Sequence, residues 1–139
     1  MHRYLIVLIE DNPADAFLVR EAITSRQISA SMVVIRDGEK AIRAIRKVDA
    51  DDTAARPNLF VLDLNLPTRT GEEVLVHIRN SSRLGSTPVI VMTSSGSPKD
   101  RATAESLGAS RFFCKPSDYE SFMQLGEVIE EMLTRIEPS

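Results

Sequence analysis

Residues 4–13 read Tyr4-Leu5-Ile6-Val7-Leu8-Ile9-Glu10-Asp11-Asn12-Pro13. A short apolar run stops abruptly at two acids, and an Asn-Pro step follows. Apolar runs that barely alternate in polarity are strands covered on both faces, as in parallel sheets. Asn12-Pro13 is N-cap and N1 chemistry for a helix that starts at once. The stretch therefore predicts a buried strand feeding directly into a helix.

The pattern recurs along the chain. Ser31–Ile35, Leu59–Leu62 and Val89–Met92 are further Val/Ile/Leu-rich runs, and Arg111–Cys114 is a shorter, aromatic fifth. Helical patterns lie between them. Ala14, Phe17, Leu18 and Ala22 mark one face of the first. Ala41, Ile45 and Val48 mark a second, opened by Asp37-Gly38. Val74, Leu75 and Ile78 mark a third, and Asp100–Leu107 a fourth, stopped by Gly108. Phe122, Leu125, Ile129, Met132, Leu133 and Ile136 form one long final stripe. Asp49 to Asn58 reads as an exposed linker. Five strand-then-helix units predict an α/β three-layer (βα)5 sandwich with a parallel five-stranded sheet. Right-handed crossovers favour the order 2-1-3-4-5, with ligands beyond the carboxyl ends of the strands.

Bulk properties narrow the function. The chain has 139 residues, enough for one domain with its own core, so residues 1–139 are expected to be a single domain with no output domain. Net charge is −3, from 17 basic and 20 acidic residues, which gives no electrostatic reason to expect nucleic acid or membrane as a partner. The single cysteine, Cys114, excludes an internal disulfide framework and reads as a small buried apolar residue. The first apolar run is too short and acid-terminated for a secretory signal, and no run approaches a membrane span, so a cytoplasmic location is expected.

The polar residues of interest stand where the apolar runs stop. Glu10-Asp11 ends the first strand, Asp63 the third, Thr93-Ser94 the fourth and Lys115-Pro116 the fifth. In a parallel sheet these ends share one edge, so Glu10, Asp11, Asp63, Thr93 and Lys115 should converge. Taken singly, each has an ordinary reading as a helix cap, a turn residue or a solvated lysine. Taken together, three clustered carboxylates are tolerable mainly around a cation, and an oxygen-only donor set suits Mg²⁺. A lysine and a hydroxyl beside a nucleophilic carboxylate are parts for phosphoryl transfer.

The combination resembles the response-regulator receiver signature: Glu10-Asp11, the Asp63–Pro67–Gly71 spacing, Thr93 and Lys115-Pro116. It spans about Tyr4 to Leu133. Ile9-Glu10-Asp11-Asn12-Pro13-Ala14-Asp15, Leu62-Asp63-Leu64-Asn65-Leu66-Pro67 and the long linker are similar to single-domain regulators of the phytochrome-associated type. The resemblance implies a flavodoxin-like fold with Asp63 as phosphoacceptor. It implies Mg²⁺ held by Asp11, Asp63 and the Asn65 carbonyl, with Glu10 acting through water. Lys115 would pair with the phosphoryl oxygens, Thr93 would hydrogen-bond them, and Phe112 would stand at the aromatic switch position. Partner binding would change on the face of helix 4, strand 5 and helix 5. A sensor histidine kinase, phytochrome-like in type, or a phosphotransfer protein would be the donor. The downstream target is not specified. The chain would be a signalling switch, not an enzyme with turnover.

Some features depart from the family pattern or compete with it. Phe112 lacks a tyrosine hydroxyl, so its switch would rest on packing; it also reads as an ordinary strand residue, with Phe113 facing the opposite side. Asn65 stands where haloacid-dehalogenase-type phosphatases carry a second Asp, which argues against that enzyme class. The acidic loop from Glu10 to Asp15 would repel a flavin phosphate. A receiver that no longer switches remains an alternative, against which all five positions are filled. The length of the final stripe suggests a homodimer through the last helix.

Overall fold

A computed structural model describes residues 3–136, with side chains through Thr134. The strands are β1 (Tyr4–Ile9), β2 (Ala30–Ile35), β3 (Leu59–Asp63), β4 (Val89–Thr93) and β5 (Arg111–Cys114). The helices are α1 (Pro13–Ser25), α2 (Gly38–Ala50), α3 (Gly71–Asn80), α4 (Pro98–Ser106), α5 (Tyr119–Phe122) and α6 (Gln124–Ile136). All strand pairs are parallel, and the sheet order is β2-β1-β3-β4-β5, as expected from the alternation of units. The fold is the flavodoxin-like (βα)5 sandwich.

Strand alternation divides the core into two layers. Val7, Ile9, Phe60, Leu62, Val89 and Val91 face α2, α3 and α4, against Ile42, Leu75 and Ala104. Ile6, Leu8, Leu59, Val61, Ile90 and Met92 face α1, α5 and α6, against Val19, Phe122 and Ile129. β3 and β4 are buried at every position, which is why their sequences show no alternation. Each fully buried Leu or Ile contributes roughly 1.5–3 kcal/mol through removal from water.

The helices begin where local chemistry dictates. Asn12 accepts from the Ala14 and Asp15 amides, with Pro13 opening α1. Asp37 accepts from Lys40 N–H at the start of α2. Thr70 and Glu73 form a capping box on α3.

Four expectations need correction. The buried face of α1 is Val19, Ala22 and Ile23, whereas Phe17 is 59% exposed. Apolar residues at 14, 16–19, 22 and 23 surround this helix, so composition alone did not select a face. The final stripe is broken: α5 ends at Phe122, and α6 restarts at Gln124. Its residues Leu125, Ile129, Met132 and Leu133 are buried in the core. Ile136 lies outside the described side chains. The linker before β3 is exposed as expected over most of 51–56, but it begins two residues later than read from sequence and is pinned down. Asp49 and Ala50 belong to α2, and Asp49 Oδ1 accepts from Ser81, Ser82 and the Arg83 amide. Arg83 donates to the carbonyls of Val48, Asp51 and Ala54, and Asn58 Oδ1 accepts from the Leu5 amide. Backbone groups near the core need such partners. Cys114 is exposed, at the end of the edge strand β5.

α1 and α6 approach closely at Gly126. A Cβ there would stand 2.4 Å from the Ala22 carbonyl oxygen. Gly126→Val is expected to destabilise the fold by about 2–3 kcal/mol through overpacking. A lower urea midpoint at unchanged slope is the measurement that checks it.

Candidate functional site

The carboxyl ends of β1, β3, β4 and β5 form one edge, and the chain places its chemistry there. Glu10 follows β1 and Asp63 ends β3. Strand parity turns both toward the α1 layer, in step with Ile6 and Leu8 and with Leu59 and Val61. Both are buried, while Asp11 is exposed at the rim. One carboxylate oxygen from each of Glu10, Asp11 and Asp63 lies within 4.8 Å of the others. Asp63 stands more than 50 positions from the adjacent pair Glu10-Asp11, so only the sheet brings it to them.

Lys115 follows β5, and its backbone N–H donates to the Thr93 carbonyl at 2.8 Å, which anchors the turn. Its ammonium donates to Asp63 Oδ2 at 2.9 Å and to Asp15 Oδ2 at 2.7 Å. It also lies 2.8 Å from Glu10 Oε1. That third contact is an ion pair without hydrogen-bond alignment: Glu10 Oε1 is buried and accepts no hydrogen bond among the described residues. The other oxygen, Oε2, accepts from the Asn12 amide at 3.2 Å. A buried carboxylate oxygen whose only cation among the described residues is a shared lysine, in a trio of acids, suits a divalent cation.

The electrostatics follow from this crowding. Burial pushes the Glu10 carboxyl up to about 7, Asp63 adds to the rise, and Lys115 and the Asn12 amide oppose it. For Lys115, burial disfavours the ammonium, but Asp15, Glu10 and Asp63 together outweigh it and hold its pKa above the ordinary value.

The Asp63 backbone is set by Gly71. The Gly71 N–H donates to the Leu64 carbonyl at 3.0 Å, and a Cβ at this position would fall 2.3 Å from the Asp63 carbonyl oxygen. The Asp63–Gly71 spacing is thus a close backbone approach that no side chain could occupy. Asp63 Oδ1 accepts from the Asn65 amide at 3.0 Å, which orients the carboxylate.

Thr93 ends β4, is 1% exposed, and its hydroxyl accepts from the Ser95 amide at 3.3 Å. By parity it shares the α4-facing side with Val91 and Phe112, which pair across β4 and β5. The half-buried Phe112 ring lies under Arg101 of α4, with the guanidinium 5.2 Å from its centre. Phe113 faces the other layer, edge-on to Phe122. Ser95 in turn donates to Asp100 of α4. Sequence reading gave Asp15 no role. Its only signal was an acid in the first turn of a helix leaving the same edge.

A profile of the response regulator receiver domain matches residues 6–126. The chain belongs to the response regulator receiver family. Its likeness extends to phytochrome-associated regulators. Response regulator Rcp1 of Synechocystis sp. is 32% identical over 126 residues, 91% of this receiver domain and 86% of the relative. The phosphorylated cyanobacterial phytochrome response regulator RcpA superposes with a TM-score of 0.85 at 32% identity, covering 99% of this chain and 98% of the other. The Mn²⁺-bound form of Rcp1 gives 0.83 at 30% identity, covering 97% of both chains. Among the described residues of this receiver, no helix is long and apolar enough to cross a membrane.

Proposed function

We propose that this receiver domain takes a phosphoryl group onto Asp63 in a Mg²⁺-dependent step and thereby changes what it binds. The observation that carries the reading is the Lys115 ammonium, in contact with both Glu10 and Asp63, inside an acidic trio that includes Asp11. The Asp11 and Asp63 carboxylates, the Asn65 carbonyl and Glu10 would hold the ion. When bound, it supplies positive charge that offsets the carboxylates and the incoming phosphoryl oxygens.

An Asp63 oxygen forms the new bond to phosphorus, and the bond from phosphorus to the donor's leaving group breaks. The product is an acyl phosphate. Lys115 transfers one N–H from the former carboxylate oxygen to a phosphoryl oxygen. The group adds roughly −1.5 to −2 of charge and fresh acceptors beside β4. Thr93 turns its hydroxyl toward them, and Phe112, on the same side of the sheet, takes the space released. The surface formed by α4, β5 and α6 changes with it, a population shift between two packings. The donor is a sensor histidine kinase, phytochrome-like in type, or a phosphotransfer protein. Residues 1–139 act as one receiver unit. The catalysis is confined to the domain's own phosphorylation and dephosphorylation.

The test is labelling with acetyl phosphate. We expect an acid-stable, hydroxylamine-labile phosphoryl group, one per chain, that appears only with Mg²⁺ or Mn²⁺. The same ions should raise the thermal midpoint, by about 2.7 kcal/mol of stabilisation at a hundredfold excess over Kd. Rapid multiple-turnover release of phosphate from many substrates would speak instead for a phosphatase.

A further inference from the structure

Asp15 Oδ2 makes the shortest of the three contacts to the Lys115 ammonium, at 2.7 Å. This carboxylate belongs to neither the acidic trio nor the strand ends. It sits in the first turn of α1, held there by the Asn12 cap on its own amide. Its side chain is 23% exposed, against 11% for Lys115. A lysine ammonium has three N–H groups on a stem of four rotatable bonds, and its orientation is otherwise loosely determined. Here one N–H is fixed on Asp15 and another on Asp63, while Glu10 supplies charge without an aligned bond.

We infer that Asp15 is a positioning residue: it anchors the Lys115 ammonium from the α1 side so that one N–H stays on Asp63 and passes to the phosphoryl group. The inference rests on the phosphoacceptor reading of Asp63. When that carboxylate becomes an acyl phosphate, a mixed anhydride, its own oxygens cease to be the strong acceptors that held the lysine. Asp15 remains, an anionic acceptor that does not react, and keeps the ammonium in place through transfer. Without it, Lys115 would follow the more buried Glu10 or turn outward to solvent.

The experiment uses the full chain and acetyl phosphate. Asp15→Asn keeps size and one acceptor oxygen but removes the charge. We expect the labelling rate at saturating Mg²⁺ to fall on the order of tenfold, the effect of one charge-assisted hydrogen bond. In a Lys115→Met background the same substitution should have no further effect, since it acts through the lysine. Equal slowing in both backgrounds, or no slowing in either, would overturn the assignment. NMR of isotope-labelled lysine ammonium groups gives a readout independent of transfer. The Lys115 signal should be slowly exchanging in the parent protein and lost in Asp15→Asn. Persistence of that signal would also overturn it. Should the parent take no label at all, the phosphoacceptor reading fails, and the NMR comparison still decides whether Asp15 holds the lysine. Asp15→Ser, which retains a helix-start acceptor, serves as the second neutral variant if Asp15→Asn does not fold.

Discussion

Asp63→Asn is expected to abolish labelling by acetyl phosphate, a loss of at least about a hundredfold, because an amide is not a competent nucleophile toward phosphorus. The substitution is nearly isosteric. Its Oδ1 can still accept from the Asn65 amide, and the β3 backbone held against Gly71 is untouched. Removing one of three carboxylates also relieves repulsion with Glu10. The variant should therefore remain folded, with its melting midpoint close to that of the parent. Two other acids stand within 4.8 Å, so label transferred to Asp11 or Glu10 is the alternative to test. Asp11 is exposed at the rim, and Glu10 lies buried against Lys115, which weakens both as substitutes. Intact-mass measurement after labelling, followed by peptide mapping, distinguishes the cases. Undiminished label in Asp63→Asn would sink the assignment.

Lys115→Met should show the second large effect, in two separate readouts. Methionine preserves much of the apolar stem but removes the only cation in contact with the Glu10 and Asp63 carboxylates among the described residues. Those carboxylates are 0% and 5% exposed, so water cannot replace the lost charge. Breaking a buried ion pair by removing one partner costs about 3–5 kcal/mol. Metal-free Lys115→Met should unfold at a markedly lower urea concentration than the parent. Mg²⁺ should restore most of the difference, because a divalent ion takes over neutralisation. Labelling should stay slow even when Mg²⁺ is saturating, by about 10²–10³, the usual effect of losing an electrostatic donor to a developing oxyanion. Restored stability with unrestored rate is the signature expected. If Mg²⁺ recovered both, Lys115 would be a structural counterion only.

Much of this architecture was legible from local pattern. The five apolar runs predicted the strands to within a residue or so at each end, most directly for β3 and β4, whose burial at every position needs unbroken hydrophobicity. The starts of α1 and α2 followed from Asn12-Pro13 and Asp37-Gly38, since capping is a contest among nearby groups. The convergence of strand ends on one edge followed from parallel topology alone. The face of α1 was not legible: with apolar residues all round, the choice fell to whichever side met α6 and the sheet. The break at Met123 was equally hidden, because the apolar stripe continues through it. Nor did composition show that Cys114, at the end of the edge strand β5, is exposed.

By itself, then, the order of residues determined which segments are strands and helices, the sheet order, and the placing of Glu10, Asp11, Asp63, Thr93 and Lys115 at strand ends. Those properties depend on hydrophobic period and chain direction, which are written locally. Tertiary structure alone decided which acids share the lysine, that Asp15 outside the strand ends is one of them, and that Arg101 covers Phe112. Such pairings depend on how helices settle against the sheet to within an ångström or two. Charged groups interact steeply at that range, and no spacing along the chain encodes it.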